Sequence, residues 1–193
     1  MPRTILAFAA SNSNPSINRQ LVDHAASVLA DEINPENEIE TLDISDFEMP
    51  IYSKAREVAD GIPPQAQAFF DRLGAAYGLI ISFPEHNGGY PAAYKNLFDW
   101  ASRIKMAIYQ DTPAVFMAAS PGKRAGKMVL DFATQTAPFF GANVVGSLGV
   151  GSFGEEFDTD RGALINPETA GALREALKAL DGAVQDTTQR AAA

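Results

Sequence analysis

The sequence contains no cysteine in its 193 residues, which excludes disulfide scaffolds, thiolate nucleophiles and cysteine-ligated zinc or iron–sulfur centres. Histidine is also scarce: only His24 and His86 are present, and they are too far apart to suggest a multi-histidine metal site. Positive charge is limited, because 15 Lys and Arg stand against 24 Asp and Glu, giving a net charge of -9 without any basic block. Since nonspecific nucleic-acid binding needs a cationic surface, we expect neither a metal nor a nucleic-acid partner.

Long hydrophobic runs are missing too. Runs such as Ile5–Ala10 are far shorter than a membrane span, and this one is also too short for the core of a signal peptide. We therefore expect a cytoplasmic protein without membrane insertion. The 46% hydrophobic and 20% charged residues are typical of a globular chain, and the length predicts a single domain over residues 1–193. The polar, alanine-rich segment 185–193 is expected to be a loose tail.

Apolar runs typical of buried strands alternate with apolar residues at helical spacing. The predicted strands are Arg3–Ala9, Glu38–Asp43, Tyr77–Phe83, Pro113–Ala119 and Asn143–Val150. Predicted helices follow them at residues 17–29, Pro64–Leu73, Pro91–Ile104, Lys127–Phe140 and from Pro167 onward. Asn14 with Pro15, and Asn166 with Pro167, are expected as helix caps followed by first-turn prolines. The long segment between the second strand and the second helix is predicted to be a loop.

This alternation predicts an α/β fold with a doubly wound five-stranded parallel sheet and helices on both faces. Five strands fit the flavodoxin-like order 2-1-3-4-5, in which a ligand lies beyond the carboxyl ends of strands 1 and 3. The loops expected at that edge are Ala10–Ser16 and Pro84–Gly89, with Ser120–Gly126 next to them.

The first of these loops carries hydroxyls, side-chain amides and the free N–H groups of a helix start. This combination suits a phosphate, because unpaired donors and the helix dipole both favour an anion. The alternative is a polar turn with a capping Ser or Asn. The chain has no G-x-x-x-x-G-K-[ST], no G-x-G-x-x-G after the first strand and no G-x-S-x-G, which argues against the commonest nucleotide sites and a serine hydrolase.

The second loop contains Gly88 and Gly89, which allow a flat ligand to approach the backbone. The alternative is a glycine turn that caps the next helix. His86 has no evident orienting partner, so we predict that it lines a ligand rather than acting as a catalyst. Glu85 is expected to line the pocket or to cap a neighbouring element. The third loop carries two cations, and either covers an edge of a flat cofactor or simply connects a strand to a helix.

Two of these loops carry motifs that resemble the NADPH-dependent FMN reductase family, which includes quinone, chromate and azo-dye reductases. The first motif of the family is G-S-x-R-x-x-S-x-N-x-x-L, and this chain matches it at Ser11, Ser16, Asn18 and Leu21. The second and more specific motif is P-E-Y-N-x-x-x-P-x-x-x-K-N-x-x-D-W. The chain matches it at Pro84, Glu85, Asn87, Pro91, Lys95, Asn96, Asp99 and Trp100. The resemblance extends from Thr4 to about Phe157, and the third loop is also similar.

The resemblance implies a non-covalently held FMN. The residues expected at its phosphate are Ser11, Ser13, Ser16, Ile17 and Asn18. Those expected at the isoalloxazine are Pro84, Glu85, His86, Asn87 and Gly88, with Ser120 and Gly122 flanking it. By the same resemblance, NADPH or NADH gives hydride to flavin N5, and the flavin passes electrons to a quinone, free flavin, azo compound or similar acceptor. The flavin carries this chemistry, so no catalytic side chain is expected.

The chain departs from the family motifs at Ser13, where the family has arginine, and at His86, where it has tyrosine. The first departure removes a positive charge near the phosphate, and the second changes what meets the flavin edge. A flavodoxin-type electron carrier without direct NAD(P)H reaction is the alternative function, and a binding module without flavin is a third. The resemblance also implies a homodimer or homotetramer, for which Phe47, Tyr52, Tyr109 and Phe153 can supply apolar contact area.

Overall fold

The computed structural model of the chain describes residues 3–192, with side chains through residue 187. Its main sheet has five parallel strands in the order β2-β1-β3-β4-β5, as the sequence predicted. The strands are β1 (Arg3–Ala9), β2 (Asn37–Asp43), β3 (Gly78–Ser82), β4 (Thr112–Ala119) and β5 (Ala142–Val150). The three central strands are buried on both faces, which explains their nearly continuous apolar sequences.

Helices cover both faces of this sheet. They are α1 (Ile17–Ser27), α2 (Lys54–Asp60), α3 (Pro64–Ala75), α4 (Ala92–Ile104), α5 (Lys127–Thr136), α6 (Phe153–Glu156) and α7 (Pro167–Ala192). Helices α1 and α7 pack on one face, where Leu21 and Leu177 share a core with Val115. Helices α3, α4 and α5 pack on the other, where Phe69 and Leu97 share a core with Phe116. None of the helices in the described residues is long and apolar enough to cross a membrane.

Several element boundaries differ from the sequence predictions for local physical reasons. Helix α1 is capped by Ser16, whose Oγ accepts the Arg19 N–H at 3.3 Å. Asn14 and Pro15, joined by a cis peptide, therefore precede the helix instead of starting it. Helix α5 ends at Thr136 and continues as a 3₁₀ turn over Ala137–Phe140, which contains Pro138. Residues 28–33 form a π-helical extension of α1.

Two segments contain structure that the sequence analysis missed. Helix α2 lies in the predicted long loop, and it has no buried residue to give it an apolar pattern. Strands β6 (Phe157–Asp158) and β7 (Ala163–Leu164) form a small antiparallel pair before α7. The last helix begins at Pro167 as predicted and continues to Ala192, so the expected loose tail is helical through that residue. Ala193 lies outside the described residues.

Candidate functional site

The three loops predicted to form the site leave the sheet at the carboxyl ends of β1, β3 and β4, and Asn18 ties these ends together. Its side chain is buried, with Nδ2 donating to the Ala119 carbonyl at 3.1 Å. Its Oδ1 accepts the Ala119 N–H at 2.9 Å and the Ser82 hydroxyl at 2.7 Å. The start of α1 is therefore fixed to the ends of β3 and β4.

This arrangement changes the role expected of Asn18. Its buried side-chain amide already bonds to three protein groups, which gives it a structural role in holding the start of α1. The sequence pattern could not distinguish a loop-facing amide from an inward-facing one. The backbone N–H groups of Ile17 and Asn18 have no acceptor among the described residues, as expected for the first turn of a helix. These two donors provide the anion-binding capacity of the helix start.

The first loop lines a cavity of about 470 Å³ on the β2 side of the sheet edge. Ser11, Ser13 and Ser16 contribute to it from the loop, and Asp43 and Ser45 lie across from them. The Ser11 hydroxyl accepts the Ser13 N–H at 3.2 Å, which fixes the turn. None of the residues expected around a flavin ring, in the loops after β3 and β4, lines this cavity. The structure thus brings Ser11, Ser13 and Ser16 together at this cavity, which Ile17, Asn18 and the predicted ring residues do not line.

Arg19 is the cation nearest to this loop, and it already has a partner. Its Nε lies 2.8 Å from Asp23 Oδ1, one helical turn further along α1. Because this ion pair reduces the positive charge available to a ligand, neutral donors dominate the first loop. The composition of the loop agrees with the sequence analysis in this respect.

The second loop is a tight two-residue turn. His86 and Gly89 exchange backbone hydrogen bonds of 3.0 and 3.1 Å, and the residues between them have positive φ, 53° at Asn87 and 84° at Gly88. Positive φ at both central positions defines a type I′ turn, for which Asn-Gly is the preferred pair. A side chain at Gly88 would also meet Met128, whose Cε lies 3.0 Å from the position of an added Cβ. The turn therefore needs glycine there.

Glu85 caps a helix from outside it. Its Oε2 accepts the backbone N–H of Met128 at 3.0 Å and that of Val129 at 3.3 Å, both in the first turn of α5. A carboxylate at this position satisfies free donors and opposes the positive end of the helix dipole. Of the two roles the sequence left open for Glu85, capping a neighbour is the one the structure shows. The carboxylate ties the loop after β3 to α5.

His86, in contrast, is exposed, and its imidazole forms no hydrogen bond or ion pair with the described residues. Pro84, two residues earlier, is buried at the end of β3. His86 therefore lies at the sheet edge without an orienting partner among the described residues. Pro84 is the buried residue that leads into the turn.

The third loop is tied to the end of β5. The Ser120 N–H donates to the Val150 carbonyl at 3.0 Å, and the Gly122 carbonyl accepts the Ser152 N–H at 3.1 Å. Within the loop, the Ser120 hydroxyl accepts the Gly122 N–H at 3.1 Å. Ser120 and Gly122 follow directly from Ala119, so they lie beside the start of α1. The three loops therefore share one edge of the sheet.

The end of the second motif has a structural role that the sequence analysis did not assign. Asn96 Oδ1 accepts the Tyr52 N–H at 2.8 Å, and Trp100 Nε1 donates to the Pro50 carbonyl at 2.7 Å. Both side chains bind the segment that leads into α2. Asn96 and Trp100 are four residues apart on a predicted helix, and this spacing was the signal that they share one face. Lys95 and Asp99 pair with each other at 2.7 Å on the surface.

Comparison with known proteins agrees with this arrangement. A family model described as NADPH-dependent FMN reductase matches residues 3–156. The chain belongs to this family. The match confirms the resemblance carried by the two motifs and places the chain among oxidoreductases. The match ends at the close of α6, before the β6–β7 pair and α7.

Individual relatives of this FMN reductase family member carry related names. The chain is 29% identical over 180 residues to a probable NADPH:quinone oxidoreductase 2 of Oryza sativa, covering 91% of this chain and 86% of that protein. It is 26% identical over 174 residues to an FMN reductase (NADPH) of Pseudomonas aeruginosa, covering 90% and 88%. The solved structure of FerB, a flavoenzyme NAD(P)H:(acceptor) oxidoreductase from Paracoccus denitrificans, matches with a TM-score of 0.74 at 22% identity. That alignment covers 95% of this chain and 98% of FerB, which confirms the flavodoxin-like fold.

Proposed function

We propose that this member of the FMN reductase family binds FMN at the shared loop edge and passes electrons from NAD(P)H to a small-molecule acceptor. A quinone, a free flavin or an azo compound is the class of acceptor proposed. The observation that carries the proposal is the start of α1, where two N–H groups without acceptors lie beside a loop of serine hydroxyls. This donor set fits a phosphate, and the adjoining glycine turn suits a flat ring.

Each loop has a distinct role in this proposal. The hydroxyls of Ser11, Ser13 and Ser16 and the backbone N–H groups of Ile17 and Asn18 would hold the phosphate. The backbone of residues 84–88 would hold the isoalloxazine, with Ser120 and Gly122 flanking it. Because Glu85 is occupied as a cap of α5, its contribution is to fix the turn rather than to contact the ring.

FMN, when bound, would supply the redox chemistry, namely hydride acceptance from NAD(P)H and electron transfer to the acceptor. The protein binds and orients the reactants, since alignment is what such a transfer requires. His86 has no partner among the described residues to hold it as an acid or base, and Glu85 has its carboxylate bound to backbone donors. We therefore assign no catalytic acid or base to the chain.

We also propose that the protein works in the cytoplasm as a homo-oligomer. Of the four aromatic residues first considered for the interface, Tyr109 and Phe153 are buried within the chain, while Phe47 and Tyr52 are half-buried. Other apolar side chains are exposed instead, notably Ile51, Val58 and Phe139 at 74%, 76% and 81%. Light scattering at low protein concentration tests the assembly, and a single species near the 20.6 kDa chain mass would contradict it.

Calorimetry on flavin-free protein tests the cofactor directly. We expect FMN to bind more tightly than riboflavin, because only FMN has the phosphate that the α1 donors and serine hydroxyls can hold. The experiment needs both ligands at matched concentrations. Absence of FMN binding at high micromolar concentration would contradict the proposal.

A further inference from the structure

Most cations in this acidic protein are neutralised by neighbouring carboxylates. Through residue 187, nine Lys and Arg side chains form ion pairs within 4.0 Å. Within the same described residues, those without a carboxylate partner are Arg56, Lys105, Lys123, Arg124 and Arg161. Arg56 donates instead to the carbonyl of Ile51. Lys123 and Arg124 are the two adjacent members of this set, and both are exposed in the loop after β4.

The backbone beneath these two cations is held in place. The Gly122 carbonyl accepts the Ser152 N–H at 3.1 Å, and the Arg124 carbonyl accepts the Lys127 N–H at 2.9 Å. The Lys123 carbonyl oxygen lies 2.8 Å from the position that a Cβ would occupy at Gly151, so the loop packs closely on the end of β5. Two unpaired cations are thus carried by a fixed loop at the edge where the proposed flavin loops meet.

Charge complementarity indicates what these cations recognise. A chain with a net charge of -9 repels a polyanionic co-substrate, so its approach needs a local positive region. A phosphate monoester carries nearly two negative charges near neutral pH and forms strong charge-assisted hydrogen bonds with Lys and Arg. The first loop cannot provide this charge, because Ser13 replaces the arginine of the family motif and Arg19 is paired with Asp23.

We propose that Lys123 and Arg124 bind the 2′-phosphate of NADPH and give the protein its preference for NADPH over NADH. This inference rests on the proposed function, since it concerns the co-substrate of the same site. The 2′-phosphate is the only group that distinguishes the two nucleotides, and a pair of adjacent cations matches its charge. Positive charge for this phosphate then comes from the loop after β4 and not from the first loop.

The test compares two double variants. Lys123→Ala/Arg124→Ala removes the proposed site, while Lys105→Ala/Arg161→Ala removes two other exposed, unpaired cations and leaves the net charge equal. Calorimetry on FMN-loaded protein measures binding of 2′,5′-ADP and of 5′-AMP. We expect the first variant to bind 2′,5′-ADP about tenfold more weakly with 5′-AMP unchanged, since two exposed charge contacts are each worth up to about 1 kcal/mol. The control should resemble the wild type.

Steady-state kinetics provide the second readout. The Lys123→Ala/Arg124→Ala protein should show a KM for NADPH raised about tenfold and a KM for NADH within about twofold of wild type. Equal losses for both nucleotides, no loss, or no binding of 2′,5′-ADP to the wild type would overturn the inference. FMN binding by the same variant is measured separately. Weakened FMN binding would assign the cations to the flavin phosphate, and absent FMN binding in the wild type would reject the proposed function instead.

Discussion

Asn18 and Ala119, which are 101 residues apart in the chain, exchange two hydrogen bonds through the Asn18 side-chain amide. The same amide oxygen accepts the hydroxyl of Ser82, so the start of α1 is joined to the ends of two central strands. These three hydrogen bonds set the distance between the loop proposed for the phosphate and the loops proposed for the ring. The proposed site is therefore formed by several loops at one sheet edge and not by a single loop.

Replacing Asn18 should mainly affect stability. Asn18→Ala leaves the Ala119 N–H and carbonyl and the Ser82 hydroxyl buried without partners, so we expect a loss of roughly 2–4 kcal/mol in the free energy of unfolding. Asn12→Ala, at an exposed position in the same loop, should cost less than about 0.5 kcal/mol. Urea denaturation measures both values. An Asn18→Ala protein as stable as the wild type would contradict a stabilising role for the Asn18 hydrogen bonds.

Glu85→Ala should destabilise the first turn of α5. The variant loses a carboxylate that accepts two backbone N–H groups, and loss of a helix cap costs about 0.5–2 kcal/mol. Glu48→Ala removes an equal charge from an exposed loop position and serves as the control. Urea denaturation gives the global cost, and amide exchange at Met128 and Val129 reports the local effect. Unchanged exchange at these two amides would show that the cap contributes nothing.

The effects of Ser16→Ala on FMN binding and on riboflavin binding should differ, because only FMN carries the phosphate. If the Ser16 hydroxyl donates to the phosphate, its loss weakens FMN binding about tenfold and leaves riboflavin binding unchanged, since a hydrogen bond to a charged group is worth about 1.5–3 kcal/mol. Ser45→Ala, on the opposite wall of the same cavity, is the matched control and should change neither. Equal losses for both ligands would indicate that Ser16 only caps α1.

Stability should decline in strong alkali because burial raises the pKa of Tyr90, as it does the pKa of Tyr94 and Tyr109. Burial raises the pKa of Tyr90 to about 12, against a hydrogen bond with Thr136 that lowers it, while the unfolded value is about 10. The proton is thus held more tightly in the folded state. Its contribution is complete below about pH 10 and is lost as the pH rises through about 12, at up to about 1.4 kcal/mol per pH unit.

The test of this alkaline effect is urea denaturation across that pH range. Tyr90→Phe should flatten the slope of unfolding free energy against pH by about one proton. Phe69→Leu alters a buried ring that packs against Phe8 and Phe47 and has no ring contact with Tyr90 among the described residues, so it should lower stability about equally at every pH. Identical slopes for Tyr90→Phe and wild type would rule out a contribution from this hydroxyl.

The sheet and its order could be predicted from the sequence because the central strands are apolar throughout and alternate with amphipathic helices. Helix α2 could not be predicted in this way, because it buries no residue and is held by distant partners. Tyr52, just before it, packs edge-on against Trp100 at 5.0 Å and bonds to Asn96. Hydrophobic patterns within a short stretch of sequence indicate which residues are buried. They do not indicate contacts between residues that are more than 40 positions apart.

The site was predictable to a similar extent. The motifs identified loops that the structure places at the ends of the neighbouring strands β1 and β3. The direction of individual side chains depends on tertiary contacts, so the sequence did not show that Asn18 faces inward or that Glu85 reaches α5. Asn18 and Glu85 form hydrogen bonds with protein groups that hold the loops of the proposed site in place. A motif match does not distinguish such a residue from one that contacts the ligand.

The central claim is that NAD(P)H reduces a flavin held at this edge without help from a protein acid or base. Anaerobic stopped-flow absorbance on the FMN-loaded protein tests it most directly. We expect NADPH to bleach the visible flavin absorption, and His86→Asn to keep the rate within about tenfold, equivalent to about 1.4 kcal/mol of barrier. Failure of both NADPH and NADH to bleach bound FMN, or a loss of a hundredfold or more in His86→Asn with FMN affinity unchanged, would contradict it.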